Sequence, residues 1–247
     1  MPSLFRRLFG RGRRPRPSAP HIHPRSEAIA VARVELAELT PPTKVYLGQL
    51  AYLTLVLFEN LSRAVTLAPT TQAKTSLSRA TAQVLEAHEA LIRELEDSGV
   101  DPVAAMEPFR AELDDFRRRT QGADYPETLV TCYLTGGFLT DFFAGLAAGL
   151  PKALGERVSA VLDIDAGQDA LVAELRTAID ASARLASRLA MWGRRLVGDT
   201  MLVARSSLVI GGQLPGEERI EPVFTELISA HTRRMDALGQ LAADREG

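Results

Sequence analysis

The sequence predicts an all-α protein, a bundle of long antiparallel helices. Hydrophobic residues make up 46% of the 247-residue chain, but aromatic residues only 6%. Ala, Leu and Arg, which favour helices, are abundant, and few segments combine the β-branched and aromatic residues that favour strands. After about residue 42, apolar residues recur at the spacing of three and four that is typical of an amphipathic helix. We therefore expect almost no β-sheet.

The first two predicted helices are long and adjacent. One begins after the prolines at 41 and 42 and stops before Pro69. The second covers about residues 71 to 97, places Leu77, Val84, His88 and Leu91 on one face, and ends at a glycine followed shortly by a proline. At about 25 residues each and 1.5 Å per residue, the two helices are long enough to span a domain as an antiparallel pair.

Further helical segments complete the predicted bundle. A shorter helix, PVAAMEPFRAELDDFRRRT, comes next. The following segments cover about 126–149, 152–179 with an interruption near Gly167, 183–210, and 217–241. The segment over 126–149 is apolar nearly all round and is therefore predicted to be central.

The predicted domain organisation is simple. Residues 1–41 are rich in Arg and Pro and are predicted to be a disordered basic tail, because the prolines prevent a helix. Residues 42–241 are predicted to form one helical bundle domain, and residues 242–247 a disordered C-terminus. Residues 1–25 carry seven arginines and no acid, which leaves a net charge of −9 on the rest of the chain. A body of that sign repels nucleic acid at long range.

The basic tail contains a possible binding segment. Apolar residues recur there at helical spacing beside arginines: Leu4, Phe5, Arg6, Arg7, Leu8 and Phe9. This pattern fits an amphipathic anchor for an anionic membrane surface or a docking peptide for a protein partner, and the alternative is an unstructured tail. The start of the sequence lacks the apolar stretch of a secretion signal, so a cytoplasmic protein is expected, membrane-peripheral if the tail anchors it.

The histidine in AQVLEAHEALIREL raises the question of a metal site. Helical bundles hold carboxylate-bridged iron by using a Glu from each of two helices and a Glu-x-x-His pair from each of the other two. Residues three apart share a helix face. Glu86 and Glu89 lie about 200° and about 100° round the helix from His88, so neither can join it on one metal. The position one turn back, where a ligand is needed, holds Leu85.

Carboxylates on other helices are the remaining candidate partners of His88. Asp141 lies in the apolar segment FLTDFF and, if buried, must be paired, hydrogen-bonded, metal-bound or protonated. Asp165 shares a helix face with Gln168, but a neutral amide is a poor ligand for iron. The candidate metal ligands are therefore His88, Asp141 and Asp165, too few for a two-metal site.

Several strings along the chain are specific enough to indicate a family. They occur in order between about residues 46 and 240, and they are QLAYLTLVLFENLSRAVTLAP, GVDPVAAMEPFRAELDDFRRRT, YLTGGFLTDFF, RLAMWGRRLVGD and HTRRMDALG. On these strings the sequence resembles the actinobacterial ferritin-like proteins described as tRNA 2-methylthio-isopentenyladenosine hydroxylase-like. The resemblance implies a ferritin-like antiparallel bundle with additional helices. It also implies a di-iron centre, in members with all the ligands, that activates O₂ for hydroxylation.

The resemblance also implies where the ligands of such a centre would lie. The corresponding positions in this sequence are Thr54, Leu85, His88, Asp141, Asp165 and Gln168. Three of them, Thr54, Leu85 and Gln168, hold residues that do not serve as ligands. This agrees with the helical-face argument made from the residues alone, and both predict a degenerate di-iron site.

Three functions follow as alternatives. The first is an interaction or regulatory protein without a cofactor, in which Thr54, His88, Asp141, Asp165 and Gln168 form a hydrogen-bonded network. The second is an iron-dependent hydroxylase of a tRNA base or a small molecule, with His88, Asp141 and Asp165 as an incomplete or mononuclear site. The third is a module targeted by its tail to a membrane or partner, which is compatible with the first. A homodimer is expected by analogy with other apolar bundles.

Other notable residues have structural interpretations. The arginines at 117–119, 194–195 and 233–234 are expected to be solvated or paired with nearby acids. Met191 and Trp192 are predicted to be core residues, and Cys132 a small apolar filler. His231 is predicted to be a surface or helix-packing residue.

Overall fold

A computed structural model of the chain describes residues 36–163, 167–208 and 216–243. Within these ranges the protein is all-α and has no strand, which confirms the predicted fold class. In chain order the helices are α1 (Thr43–Leu67), α2 (Thr71–Asp97), α3 (Pro102–Arg119), α4 (Tyr125–Ala147), α5 (Lys152–Leu162), α6 (Gln168–Ala181), α7 (Ala183–Ser206) and α8 (Glu217–Ala243).

The helix boundaries have local chemical causes. The Thr70 side chain accepts a hydrogen bond from the backbone N–H of Ala73 at the start of α2, and Asp101 and Asp124 cap α3 and α4 in the same way. The end of α2 is closed by Gly99, whose φ of 70° lies in the left-handed region that glycine favours. These polar and glycine positions make the boundaries of α2 and the starts of α3 and α4 predictable from sequence.

Helix α4 is the centre of the bundle, as predicted. Every residue from Glu127 to Leu139 is buried. The helix packs against α1, α5, α6, α7 and α8, and α1 packs against α2 and α3. Both α1 and α4 have the length and apolar composition of a membrane-spanning helix, but 78% of the most apolar window of α4 is buried inside the protein. The apolar surface of α4 is thus accounted for by packing.

The predicted interruption near Gly167 separates two helices. Gly167 has a φ of 78°, and a Cβ built on it would lie 2.1 Å from the Cβ of Ala80 in α2. Only glycine satisfies both the left-handed backbone and this close approach. The turn therefore fixes the start of α6 against α2.

The described residues correct the predicted boundary of the tail at residue 41. Leu36 and Leu39 are buried, and the hydroxyl of Thr40 donates a hydrogen bond to the Leu146 carbonyl. A Cβ on Gly145 would lie 2.4 Å from Leu36 Cδ1, so this leucine packs directly on α4. Two leucines three residues apart on a helical turn explain this packing. Residues 36–41 thus belong to the bundle, and the binding segment predicted in the tail, from Leu4 to Phe9, lies outside the described residues.

Two predictions about small features of the core have different outcomes. Met191 was predicted to be buried, but it is 67% exposed, so that prediction is wrong. Its neighbour Trp192 is half-buried, and its indole N–H donates to the Thr131 hydroxyl at 3.0 Å. Cys132 is buried, and burial raises the pKa of its thiol to about 12. A thiol with that pKa is protonated and unreactive at neutral pH.

Candidate functional site

His88 joins α2 to α1 through hydrogen bonds inside the bundle. Its Nδ1 lies 3.0 Å from the Ala51 carbonyl oxygen and 3.2 Å from the Thr54 hydroxyl. Thr54 itself donates to the Ala51 carbonyl at 2.7 Å. A carbonyl can only accept, so Nδ1 carries the proton, and the Thr54 oxygen is left to accept from it. Both side chains are buried and the Nδ1–H is satisfied, while Nε2 makes no hydrogen bond to a described residue.

Leu85 does not lie beside His88 on the buried face of α2. It is 39% exposed, whereas His88 is 7% exposed. The buried face runs through Leu77, Val84 and Leu91. A step of three residues turns the helix by about 300°, which is enough to carry Leu85 from the edge of this face toward solvent. The predicted ligand position is thus occupied by an apolar residue that faces partly away from the core.

Asp141 lies at the surface, although its neighbours in sequence are apolar. Its side chain is 43% exposed, and one oxygen accepts a hydrogen bond from Nη2 of Arg234 at 2.8 Å. Phe142 and Phe143 are buried because successive residues on a helix point about 100° apart. The Arg234 guanidinium lies over Gly137, where a Cβ would come within 2.5 Å of its Nε. Asp141 is therefore an ion-pair residue between α4 and α8.

Gln168 makes no hydrogen bond to Thr54 or His88. It is half-buried near α4, where a Cβ on Gly136 would lie 3.8 Å from its Nε2. The preceding Gly167 contacts Ala80, which is eight residues from His88 and hence about 12 Å away along α2. Asp165 lies outside the described residues. The structure thus joins Thr54 to His88, but it does not bring Asp141 into their hydrogen-bonded pair.

The described interior is poor in carboxylates. Among the side chains that the structure describes, Glu127 is the only Asp or Glu that is buried. Its Oε2 accepts from the backbone N–H of Ala123, and its Oε1 lies 3.5 Å from Nη1 of Arg188, so it serves the start of α4. No three His, Cys, Asp or Glu side chains among the described residues form a group that could hold a metal ion. A carboxylate-bridged iron centre needs several such groups, and these residues do not fit it.

Buried threonines are the polar core residues that sequence reasoning missed. Thr131 donates to the Thr120 carbonyl at 2.9 Å while accepting from Trp192. Thr135 and Thr200 donate to carbonyls of their own helices. The threonines of α4 recur at steps of three and four in an otherwise apolar segment, and this pattern was the available signal. Of these, Thr131 links α4 to α7 through Trp192 without any charged group.

Most of the clustered arginines make ion pairs with nearby acids. Arg117 lies 2.7 Å from Glu59, and Arg119 lies 3.1 Å from Asp115 and 3.4 Å from Asp199. Arg118 and Arg233 are also paired, with Asp115 and Glu226. Since these guanidinium groups already face carboxylates, the clusters at 117–119 and 233–234 do not form an unpaired phosphate-binding face. Arg194 and Arg195 are exposed, and the Arg195 guanidinium lies 5.2 Å from the centroid of the Trp192 ring.

His231 is the second buried histidine, and it lies among α4, α7 and α8. It is 5% exposed, its ring packs edge-on against Phe138 at 6.4 Å, and neither ring nitrogen has a hydrogen-bond partner among the described residues. Burial and the positive charge of Arg234 lower the pKa of His231, partly offset by the backbone of Gly193. The buried ring is therefore neutral at pH 7.

We expect His231 to make the protein less stable in acid. The unfolded chain binds a proton near pH 6.5, but the folded protein binds it only at lower pH. Stability is thus unaffected by this group above pH 6.5 and falls as the pH drops from there toward the lowered pKa, by at most about 1.4 kcal/mol per pH unit. Urea unfolding of wild type and His231→Phe at pH 7 and pH 5 tests this. Equal pH dependence of the two proteins would contradict the expectation.

The arrangement of the described helices defines a class of protein. Long antiparallel helices packed around a central helix, with further helices alongside, form a ferritin-like bundle. The family model for the ferritin-like domain of actinomycetes matches residues 43–210, about two thirds of the chain, and the chain belongs to this family. The matched region stops before α8, and the description of the family does not mention tRNA hydroxylases. A search of curated proteins found no match.

Proposed function

We propose that this ferritin-like protein does not assemble a di-iron centre and acts as an interaction or regulatory protein. The observation that supports the proposal is the shortage of buried carboxylates in the described bundle, where Glu127 alone is buried and is already engaged at a helix start. Bridging carboxylates supply the negative charge that a pair of iron ions requires. A bundle without bridging carboxylates can keep the ferritin-like fold, but it cannot hold two iron ions for oxygen activation.

The Thr54–His88 pair supports the same proposal. In a metal site the imidazole of His88 would hold α2 to the metal, and an acid at position 54 would hold α1. In this protein the Ala51 carbonyl and the Thr54 hydroxyl bind Nδ1 of His88 directly. The hydrogen bonds join the two helices without metal, and they leave no unpaired buried charge, which would be costly.

The surface position of Asp141 supports the proposal as well, because Asp141 was one of the candidate metal ligands. Its carboxylate is compensated by the Arg234 guanidinium, which is only 21% exposed. Drawing Asp141 into the core would leave this half-buried cation without its partner. Asp141 and Glu127 are thus both engaged by protein partners, and this supports a function without a di-iron centre.

Iron binding tests the proposed function. When Fe(II) is added to the purified protein in air, we expect no oxidation chromophore and no stoichiometric iron after desalting. His88→Ala should leave the metal content unchanged. It should lower the free energy of unfolding by about 1–2 kcal/mol, because the buried hydrogen bonds between α1 and α2 are lost.

A matched control and a contrary result complete this experiment. Glu89→Ala changes an exposed residue on the same helix and should alter neither metal content nor stability. Stoichiometric iron that co-purifies with the wild type and is lost in His88→Ala would refute the proposal. That result would favour the alternative, an iron-dependent hydroxylase.

A further inference from the structure

The central helix α4 is open to solvent along one side near its C-terminal end. Every residue from Glu127 to Leu139 is buried, but Asp141, Ala144 and Ala148 are exposed. These three residues are spaced by three and four, so they form one stripe along the helix. A helix that is apolar nearly all round is normally covered on every side. The described helices therefore leave part of α4 without the cover that its composition favours.

A groove of about 740 Å³ lies along this open stripe. Its floor is α4, from Thr140 to Ala148, and its walls are α5 and α8. The floor follows α4 for about 12 Å. Much of the lining is small, with Ala144 and Gly145 in the floor and Ala160 and Ala230 in the walls. Small side chains at a helix surface allow a second helix to approach closely, so the groove suits a helix.

The described part of the chain begins at one end of this groove. Leu36 lines the groove, and residues 36–38 form a helical turn. Leu36 packs against Gly145 of α4. Thr40, four residues later, packs against Gly149, which is also four residues later. The turn therefore runs in the same direction as α4, and the residues that precede Leu36 lead toward the other end of the groove.

The segment before Leu36 has the length and the pattern to fill the groove. Residues 28–35 have the sequence AIAVARVE. Continued as a helix from the turn at Leu36, these residues span about 12 Å, which is the length of the groove floor. On that helix Ile29 and Ala32 lie within about 40° of the direction of Leu36, so they face α4. Val31 lies about 140° from Leu36 and faces solvent.

The charges in the groove also suit this segment. Asp163, at the end of α5, lines the groove and is exposed, and it makes no ion pair with a described residue. Asp141 and Glu226 line the groove too, but each is paired with an arginine of α8. Arg33 lies about 60° from Leu36 on the continued helix, so its long side chain reaches the edge of the groove. The segment thus brings a positive charge to a lining that has an unpaired acid.

We propose that residues 28–35 occupy this groove as a helix that continues from Leu36, with Ile29 and Ala32 packed against α4. The helix covers the open stripe of the central helix. It also fixes the point at which the basic residues 1–25 leave the bundle, at the end of the groove near Asp141. A membrane or partner that binds the tail is therefore held at this side of the protein. Iron binding by the bundle neither requires nor prevents this packing.

Thiol labelling of the full chain tests the proposal. Cys132 is the single cysteine, and because it is buried and protonated at neutral pH, a second cysteine can be followed by itself. We expect Ile29→Cys to react with a soluble disulfide reagent at least tenfold more slowly than Val31→Cys, because position 29 faces α4 and position 31 faces solvent. Val31→Cys is the matched control, since both substitutions replace a β-branched residue of the same segment.

Filling the groove should release the segment. Ala144 is exposed, so Ala144→Trp puts a large side chain into the groove without crowding the described core. Combined with Ile29→Cys, it should raise the labelling rate at position 29 to that of Val31→Cys. Ala104→Trp, at an exposed alanine of α3, is the matched control and should leave the labelling slow. Far-ultraviolet circular dichroism checks that each variant is folded.

Four results would overturn the proposal. Equal labelling rates for Ile29→Cys and Val31→Cys would mean that the segment has no buried face. Slow labelling of Ile29→Cys that Ala144→Trp does not relieve would mean that the segment is buried elsewhere. Protection that disappears on dilution would make a second copy the occupant of the groove. Fast labelling of Ile29→Cys, together with slow labelling of Leu8→Cys that Ala144→Trp relieves, would make the basic tail the occupant.

Discussion

Phe142→Ala is expected to lower the free energy of unfolding by about 3–5 kcal/mol, the usual cost of truncating a buried phenylalanine. Phe142 is fully buried in α4. Its ring meets Phe143 edge-on at a centroid distance of 5.3 Å and lies 6.4 Å from the ring of Phe224 in α8. The truncation would remove contacts on both sides and leave a cavity where α4 and α8 meet.

This cavity is expected to remain open, because the neighbouring groups are fixed. Phe143 packs edge-on against Tyr46 at 5.6 Å, and the Tyr46 hydroxyl donates to the Phe143 carbonyl at 2.8 Å. Burial raises the pKa of Tyr46, so the hydroxyl keeps its proton and this bond at all ordinary pH values. The ring of Phe143 therefore cannot turn into the space without disturbing α1.

Urea or guanidinium unfolding measures the effect of Phe142→Ala. Val103→Ala removes apolar atoms from a residue that is 68% exposed, and it should change stability by less than about 0.5 kcal/mol. Phe142→Leu should fall between the two. If Phe142→Ala cost no more than Val103→Ala, the aromatic cluster would not be part of the core that holds α1, α4 and α8 together.

The fold was predictable because the helix boundaries are set by residues close to them in sequence. Prolines before α1 and at residue 69, the glycine at 99 and the aspartates at 101 and 124 act on their nearest neighbours in sequence. The turn before α8 carries similar signals in the string GGQLPG, but residues 209–215 lie outside the described residues. Element type and order thus follow from sequence over most of the bundle.

The candidate site was less predictable, because it depends on which helix covers which face. Asp141 is surrounded in sequence by leucine and phenylalanine, yet it points toward Arg234, ninety-three residues further along the chain. Met191 has the helical spacing of a core residue, but α8 does not cover it. The sequence indicated only that Thr54 and His88 occupy positions where the resembled family would have metal ligands. The hydrogen bond between them depends on how α1 packs against α2, which the sequence does not show.

Gly48→Ala is expected to lower the free energy of unfolding by about 3 kcal/mol, at the upper end of the usual range for overpacking. Gly48 lies in α1 where that helix crosses α3, and a Cβ there would come 2.2 Å from the carbonyl oxygen of Ala105 and 2.8 Å from its carbonyl carbon. These are backbone atoms, so the collision can be relieved only by moving α3 as a whole. That displacement would also disturb Leu113 and Phe116, which α3 contributes to the core.

Gly198→Ala is the matched control, because it is the same substitution in another helix where the new Cβ meets nothing within 4 Å. It should stabilise the monomer by about 1 kcal/mol through helix propensity. The free energy of unfolding of both variants should be measured at a protein concentration low enough to keep the chain monomeric. Opposite signs for the two glycines would show that Gly48 serves a contact inside the chain. A stabilising Gly48→Ala would mean that α1 and α3 do not approach as closely as described, whereas a destabilising Gly198→Ala would mean that α7 contacts something within its own chain.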